Sequence, residues 1–471
     1  MEIFASTRPD EVILRFPSAA AYQNFSLLLS GSKLQLVDQL DPLRAMRIAY
    51  DDWQELALLL QNQNISTYDA LTETPAPGPA QTGAQEGALG FGQSLIRWLG
   101  ITTNHHRWGA GVKIAVIDSG IVPHTALPGL KKSIAITPFP ADFSKTNGHG
   151  TAVASLIAGN DPAAMGVAPA AELISIRVGD EAGKADSFAL AAGILAALNE
   201  GVDLINISMG TSENNPLIEE AVMLAEAQGV LIVAASGNSE GADASYPAAY
   251  PSVISVGAVD ARGAHLDFSN FGTYLSITAP GYALRCAQAG GGFATLSGTS
   301  ASAPIVTGAI AATMSAGSGI QMTARQAAEI VMRQADDAGI PGPDTEYGVG
   351  ILNMARVMNR ATPGLIDAAI TSQRLVIAST PGGTDAIQVT IQNRGTARLF
   401  NTRLDLASSL GNRRFFSNHL APGEIQTFSL PIRLNGPSQQ TIRVNSKIHL
   451  GFQTNDFTPH NNQASEVLAI P

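Results

Sequence analysis

One cysteine, Cys286, stands among 471 residues, which excludes an intrachain disulfide and any cysteine-built metal site. Charge is also scarce, at 14% of residues against 45% apolar, a balance that excludes disorder and calls for well-packed domains. What charge there is runs acidic, with 28 Lys and Arg against 39 Asp and Glu for a net charge of -11. No basic footprint for a phosphate backbone follows, and nucleic acid is not an expected partner. Every apolar stretch is broken by Gly, Asn or charge before it could span a bilayer, so no membrane span is expected. The opening MEIFASTRPDEVILRF lacks a basic start followed by an apolar core. The expectation is therefore no signal peptide and a cytoplasmic protein, with a secreted or periplasmic one as the alternative if a leader was removed.

What is present is length for roughly two to four folding units, rich in Gly (46) and Pro (26). Residues 1–71 read as strand, helix, strand, strand, helix, strand, through EVILRF, AAAYQNFSLLL, KLQLVDQL, AMRIAY, DDWQELALLL and NISTY. That order predicts a small ferredoxin-like α+β domain. Residues 72–90 hold three Pro and four Gly with almost no large apolar side chain, a linker by composition and a preferred place for cutting. Across 91–362, apolar runs such as VKIAVI, LISIRV, VDLINIS, VLIVAAS and VISVGAV alternate with helical stretches. The fold class is α/β, a mostly parallel sheet with helices on both faces. From 366 to 471 the pattern changes to period-two strands broken by PGG, NRG, APGE and NGP, which predicts a C-terminal β-sandwich.

Four short segments of the middle domain carry chemistry. VKIAVIDSG ends a buried strand on Asp118, at the sheet edge where open α/β folds collect ligand and catalytic groups. NGHGTAVASLIAG sets His149 between glycines at a helix entrance, and LSGTSASAPIVTGAIAATM sets Ser300 ahead of a helix with Pro304 in its first turn. There the hydroxyl and its own N–H meet the positive end of the helix dipole. GVLIVAASGNS ends another buried strand near Asn238, whose amide could donate to a developing negative oxygen. Taken singly, each is more often a turn, cap or surface residue. Together they supply nucleophile, base, base-orienting carboxylate and oxyanion donor, and chance explains the set poorly.

The stretches VIDSGI, GHGTAVAS, NISMG, AASGN and SGTSASAP resemble, in order, the motifs of the subtilisin-like serine proteases, and the order Asp, His, Ser is that family's. The resemblance runs from about Phe91 to the YGVGILNMARV stretch and implies a subtilisin-like fold and a serine endopeptidase. It assigns Asp118, His149 and Ser300 to the triad, and the Ser300 N–H with Asn238 to the oxyanion hole. It also implies that extended peptide pairs with Gly183, Lys184, Ala185 and with Ser208, Met209, Gly210. The first specificity pocket would be lined by Ser208 to Gly210, by Ala235, Ser236 and Gly237, and by Ser245, which replaces a frequent Gly and narrows it.

No organic cofactor is expected. The loop AGNDPAAMGVAP is shorter than the family's calcium loop, and Asn160 with Asp161 falls short of the about 6 to 8 oxygens calcium needs. Calcium is thus possible but lacks a clear site, and no metal is expected. Position makes the first domain resemble the family's inhibitory propeptide, so the expected partners are a protein or peptide substrate and the chain's own N-terminal domain. The sandwich resembles immunoglobulin-like adhesion modules whose ligand the sequence does not name. The alternatives are a dedicated maturation protease for one peptide and a catalytically silent peptide-binding scaffold.

Overall fold

The computed structural model describes residues 10–61, 65–68, 74–75, 87–136, 139, 141–316, 322–378, 384–434, 441–453 and 455–470. Most of the expected 72–90 linker, and any processing point in it, lies outside the described residues. The chain forms two compact units, Met1–Ala328 and Glu329–Pro471.

The first unit opens with β1 (Glu11–Arg15), α1 (Ala19–Leu29), β2 (Gln35–Leu40), β3 (Ala45–Ala49), α2 (Trp53–Leu60) and β4 (Ser66–Tyr68). Ser18 and Asp52 cap the two helices by accepting from the N–H groups of Ala21 and Gln54, the role short polar side chains fill at a helix start. The strands pair antiparallel in the order β2-β3-β1-β4, as the ferredoxin-like reading requires. The short β5 (Thr74–Pro75) follows.

Apolar residues of β1 and β3 occur on both faces of this sheet. Successive strand side chains point to opposite sides, so Leu14, Met46 and Ile48 bury against Phe25, Leu29, Leu56 and Leu60 of the domain's own helices. Ile13 and Ala45, with Leu40 and Leu43, join instead a cluster with Phe188, Ala189 and Ala192.

Those partners belong to the central sheet and its cover. Its elements in chain order are α3 (Leu95–Trp98), β6 (Lys113–Asp118), β7 (Leu130–Ala135), α4 (His149–Ala158), β8 (Glu172–Arg177), β9 (Lys184–Ala185), α5 (Ser187–Asn199) and β10 (Leu204–Ile207). There follow α6 (Pro216–Ala227), β11 (Leu231–Ala235), β12 (Ile254–Val259), β13 (Ile277–Pro280), β14 (Leu284–Ala287), β15 (Phe293–Leu296) and α7 (Thr299–Ser315). Seven strands lie in the order β13-β12-β11-β10-β6-β8-β7, every adjacent pair parallel. The inner strands are mostly apolar and almost wholly buried because helices cover both faces. α5 and α6 pack together on one side, while α4 and α7 pair with each other and α7 runs against β10 to β13. Among the described residues no helix is long and apolar enough to cross a membrane.

Arg47 marks the seam between the small sheet and α5. Its side chain is fully buried, with Nε 2.5 Å from Glu11 and Nη1 3.2 Å from Asp186. Asp186 is the N-cap of α5, its Oδ1 accepting from Ala189 N–H at 2.8 Å. Arg15 and Arg44 reach Glu220 of α6 at 2.5 and 3.6 Å.

The second unit takes in the end of α8 (Ala324–Arg333), then α9 (Met354–Asn359), β16 (Ala368–Val376), β17 (Ala386–Asn393), β18 (Leu399–Ser408), β19 (Gly411–Leu420), β20 (Ile425–Pro431), β21 (Thr441–His449) and β22 (Gln463–Ala469). Two antiparallel sheets, β16-β17-β20 and β19-β18-β21-β22, close on one core of Ile387, Val389, Leu404, Phe428, Ile442 and Val444. Asp336 binds Arg356 at 3.2 Å and Arg394 at 3.0 Å, joining the stretch before residue 362 to the strands after it.

Removing one partner of a buried ion pair typically costs about 3–5 kcal/mol. Arg47→Ala, which takes the shared cation from Asp186 and Glu11, is expected to lower the urea midpoint for detachment of the N-terminal domain while the central sheet's own transition stays in place, as followed by tryptophan fluorescence and circular dichroism.

Candidate active site

Asp118 is the last residue of β6 and is fully buried. Its Oδ1 accepts from the Ser119 N–H at 2.7 Å. His149 opens α4, and its Nδ1 lies 2.8 and 3.0 Å from the two oxygens of Asp118. A carboxylate oxygen facing Nδ1 fixes that nitrogen as the donor, so in the neutral imidazole Nε2 is the nitrogen that keeps its lone pair. That Nε2 is buried and, among the described residues, has no hydrogen-bond partner.

Glycine permits this approach at two positions. Gly148 caps α4 at φ 82°, in the left-handed region that side chains avoid. A Cβ on Gly150 would fall 2.6 Å from the Gly120 carbonyl oxygen and 3.2 Å from the Asp118 Cβ.

The structure corrects the expected helix start at Ser300. α7 begins at Thr299, so Ser300 lies inside it and Pro304 sits in its second turn. Proline has no N–H to return to the carbonyl four residues back, and the carbonyl so released is that of Ser300. The Ser208 hydroxyl supplies the missing bond at 3.1 Å, while the Ser300 hydroxyl donates to the Ser208 carbonyl at 2.9 Å. Behind them Asn206 Nδ2 donates to Ser208 Oγ at 3.0 Å, and Thr307 donates to Asn206 Oδ1 at 2.9 Å. The Ser300 hydroxyl is thus turned to Ser208 and not to His149. In the first turn of α7 its N–H has no intrahelical partner.

Asn238 is exposed, beyond the end of β11. Its Oδ1 accepts from the Thr299 N–H at 2.8 Å and the Thr299 hydroxyl at 3.0 Å. A backbone N–H can only donate, which fixes the amide's orientation and leaves Nδ2 as a donor. The edge therefore holds a buried imidazole base, a helix-borne alcohol and an oriented amide N–H₂. Such a set can take a proton from an alcohol and hold a negative oxygen.

The expected substrate contacts divide into groups. Gly183, at φ 84°, closes a turn into Lys184–Ala185, and this β9 is paired antiparallel with β5, Thr74 opposite Ala185 and Pro75 opposite Lys184. Met209 is buried beside Ser208. A Cβ on Gly210 would meet Ser245 Oγ at 2.7 Å, and one on Gly237, at φ 110°, would lie 3.3 Å from Ser245 Cβ. Ser245 therefore stands between the 208–210 and 235–237 segments, where it takes up space. Ala235 and Ser236 are buried, and Ser236 Oγ donates to the Asn270 carbonyl at 3.2 Å. Tyr274 donates to the carbonyls of Ser236 and Asp243, and burial pushes its hydroxyl up to about 12, so it stays a donor.

The side-chain oxygens of Asn160 and Asp161 are engaged within the protein. Asn160 Oδ1 is hydrogen-bonded to His106 Nδ1 at 3.0 Å and Asp161 Oδ1 accepts from Ala163 N–H at 2.8 Å. Among the described residues no group of three His, Cys, Asp or Glu is placed to hold a metal.

Sequence reasoning missed Asn206, Ser208 as the partner of Ser300, Thr299 as the group that aims Asn238, and Thr307. The one available signal was Pro304, whose missing N–H demands a substitute donor.

With this geometry in place, comparison with known proteins defines the class. The Subtilase family model matches residues 109–350, and the chain belongs to that family of serine proteases; it is a hydrolase acting on protein or peptide substrates. Subtilisin Savinase of Lederbergia lenta is 40% identical over 205 residues, 43% of this chain and 76% of that protein. Minor extracellular protease Epr of Bacillus subtilis is 34% identical over 250 residues, 52% of this chain but 38% of Epr. Among solved structures, a mutant of the protease domain of PatA superposes with a TM-score of 0.50 at 30% identity, covering 55% of this chain and 97% of that one.

A shift of about 1 Å in a reacting group can cost about 10²-fold. Gly150→Ala must push α4 off the Gly120 backbone, and labelling by a fluorophosphonate is expected to slow by about that factor while the far-ultraviolet circular dichroism stays unchanged.

Proposed function

We propose that this chain is an endopeptidase that cleaves peptide bonds through an acyl-enzyme on Ser300. The observation that carries the reading is the buried His149 Nε2, unpartnered among the described residues and, in the neutral ring whose Nδ1 is held by Asp118, the nitrogen that carries the lone pair. In the proposed cycle the Ser300 hydroxyl leaves the Ser208 carbonyl by rotation about its Cα–Cβ bond and gives its proton to Nε2 as Oγ attacks the scissile carbonyl. The negative oxygen is met by the Ser300 N–H and Asn238 Nδ2. His149 then hands the proton to the departing amine, Asp118 stabilising the imidazolium throughout. Water deacylates the enzyme by the same steps.

In the same reading, residues 1–71 are an inhibitory prodomain and the 72–90 linker is the processed segment. The pairing of β5 with β9 supports it, since the chain's own linker occupies the strand where an extended substrate would add. Main-chain pairing of this kind is largely indifferent to sequence, so a self-segment and a foreign peptide compete for one edge. The two-sided burial of the small sheet supports a docked rather than a loose domain. Residues 366–471 form an appended β-sandwich module.

The test follows the mass of the full chain and of Ser300→Ala with time. The parent is expected to be trimmed between residues 69 and 92 and labelled by a fluorophosphonate, the variant neither; trimming of both would assign the cut to another protease and remove self-processing. Asn238→Ala should lower kcat by about 10²–10³, the loss when subtilisin, a relative of this chain, loses its oxyanion-hole amide.

A further inference from the structure

A cavity of about 470 Å³ opens beside the triad segments, lined by Thr146, Asn147, Gly148, Arg285, Gln288 and Phe293 with neighbouring Ala and Thr side chains. Its two walls are the residues leading into His149 and the β14–β15 hairpin that leads to Ser300. None of the 183–185, 208–210 or 235–237 segments contributes to it, so it is separate from the strand site and first pocket. We infer that the departing half of the substrate lies here and that Arg285 makes the cavity a carboxylate-binding subsite, selecting an acidic side chain or a free terminal carboxylate on the leaving-group side of the cut bond. The inference rests on the proposed role of Ser300 and adds a selectivity to it.

Arg285 carries the argument. Among the described residues it has no carboxylate partner, and its Nε is buried with no hydrogen bond. Leaving a buried guanidinium nitrogen unpaired is costly unless a ligand completes it. The side chain is nonetheless held in place. Its guanidinium carbon stands 5.4 Å over the Phe293 ring, and that ring meets His124 edge-on at 5.8 Å. His124 is tied to the hairpin turn through Gly292 O at 3.0 Å. A planar cation fixed over an aromatic face matches the two oxygens of a carboxylate.

Nothing in the lining cancels that charge, for it holds no Asp or Glu. Cys286, the next residue along β14, is buried, and burial pushes its thiol up to about 12, so it adds no thiolate. Gln288 and Thr295 offer further polar groups around the same space.

The experiment uses three quenched peptides with one shared acyl-side sequence. On the leaving side they carry Glu with an amidated end, Ala with a free carboxylate, or Lys with an amidated end. The full chain, Arg285→Gln and Arg285→Glu are compared, each normalised to the Ser300 titre from fluorophosphonate labelling. The wild type should favour a carboxylate-bearing peptide over the Lys peptide by about 10-fold or more in kcat/KM, the scale of a charge-assisted hydrogen bond. Arg285→Gln should flatten that ratio and Arg285→Glu should invert it. Preference for the Glu peptide alone assigns the side-chain source, and for the free-ended Ala peptide alone the terminal source. Equal ratios in the wild type, or a preference that both variants leave unmoved in labelled enzyme, overturn the subsite. Absence of labelling in the wild type overturns the role of Ser300 and the subsite with it.

Discussion

The cleft depends on one hydrogen bond sealed from water, between the Asp118 carboxylate and His149 Nδ1. A buried carboxylate is tolerable only where donors surround it, and here the Ser119 N–H and the imidazole supply them. The same bond decides the tautomer, and the tautomer decides that the opposite nitrogen is a base. Strand β6 delivers the carboxylate to the sheet's edge, and two glycines let α4 begin close enough for the imidazole to reach it. Neither element would matter to the chemistry without the other.

Much of this was legible in the sequence because the inner strands are covered on both faces and read as unbroken apolar runs. β6, β8, β10, β11 and β12 fall where those runs predict, and Asp118 and His149 sit at the strand end and helix start to which the motifs assign them, whereas Ser300 lies inside its helix and not ahead of it. The edges were harder. β7 exposes Lys131 and Lys132, and β13, though buried, is only four residues long and ends on Pro280, so neither gives an apolar run. β19 is likewise polar through Arg413 and Arg414. Contacts between distant segments were not legible at all: that Thr299 aims Asn238, or that Ser208 holds Ser300, depends on where the folded chain brings them.

The N-terminal domain shows how a small sheet is committed to a partner. Its helices need only one face of the strands, yet Ile13, Ala45 and Arg47 bury the other. A charge placed there is a poor source of net stability but a strict condition on fit, because it is satisfied only when Asp186 stands opposite. Asp186 in turn is fixed by capping α5. The seam thus combines apolar burial, which favours contact, with ion pairs that tolerate only one register of it.

Pro304 has a mechanical consequence. By withholding an N–H, it hands the Ser300 carbonyl to a residue 92 positions away, so a gap in one helix becomes a rivet between that helix and the wall formed by Ser208 to Gly210. Moving the wall outward from the helix start would break both hydrogen bonds between Ser208 and Ser300. The flank of the cleft built from Ser208 to Gly210 is therefore tied to the same helix that carries the nucleophile's side chain.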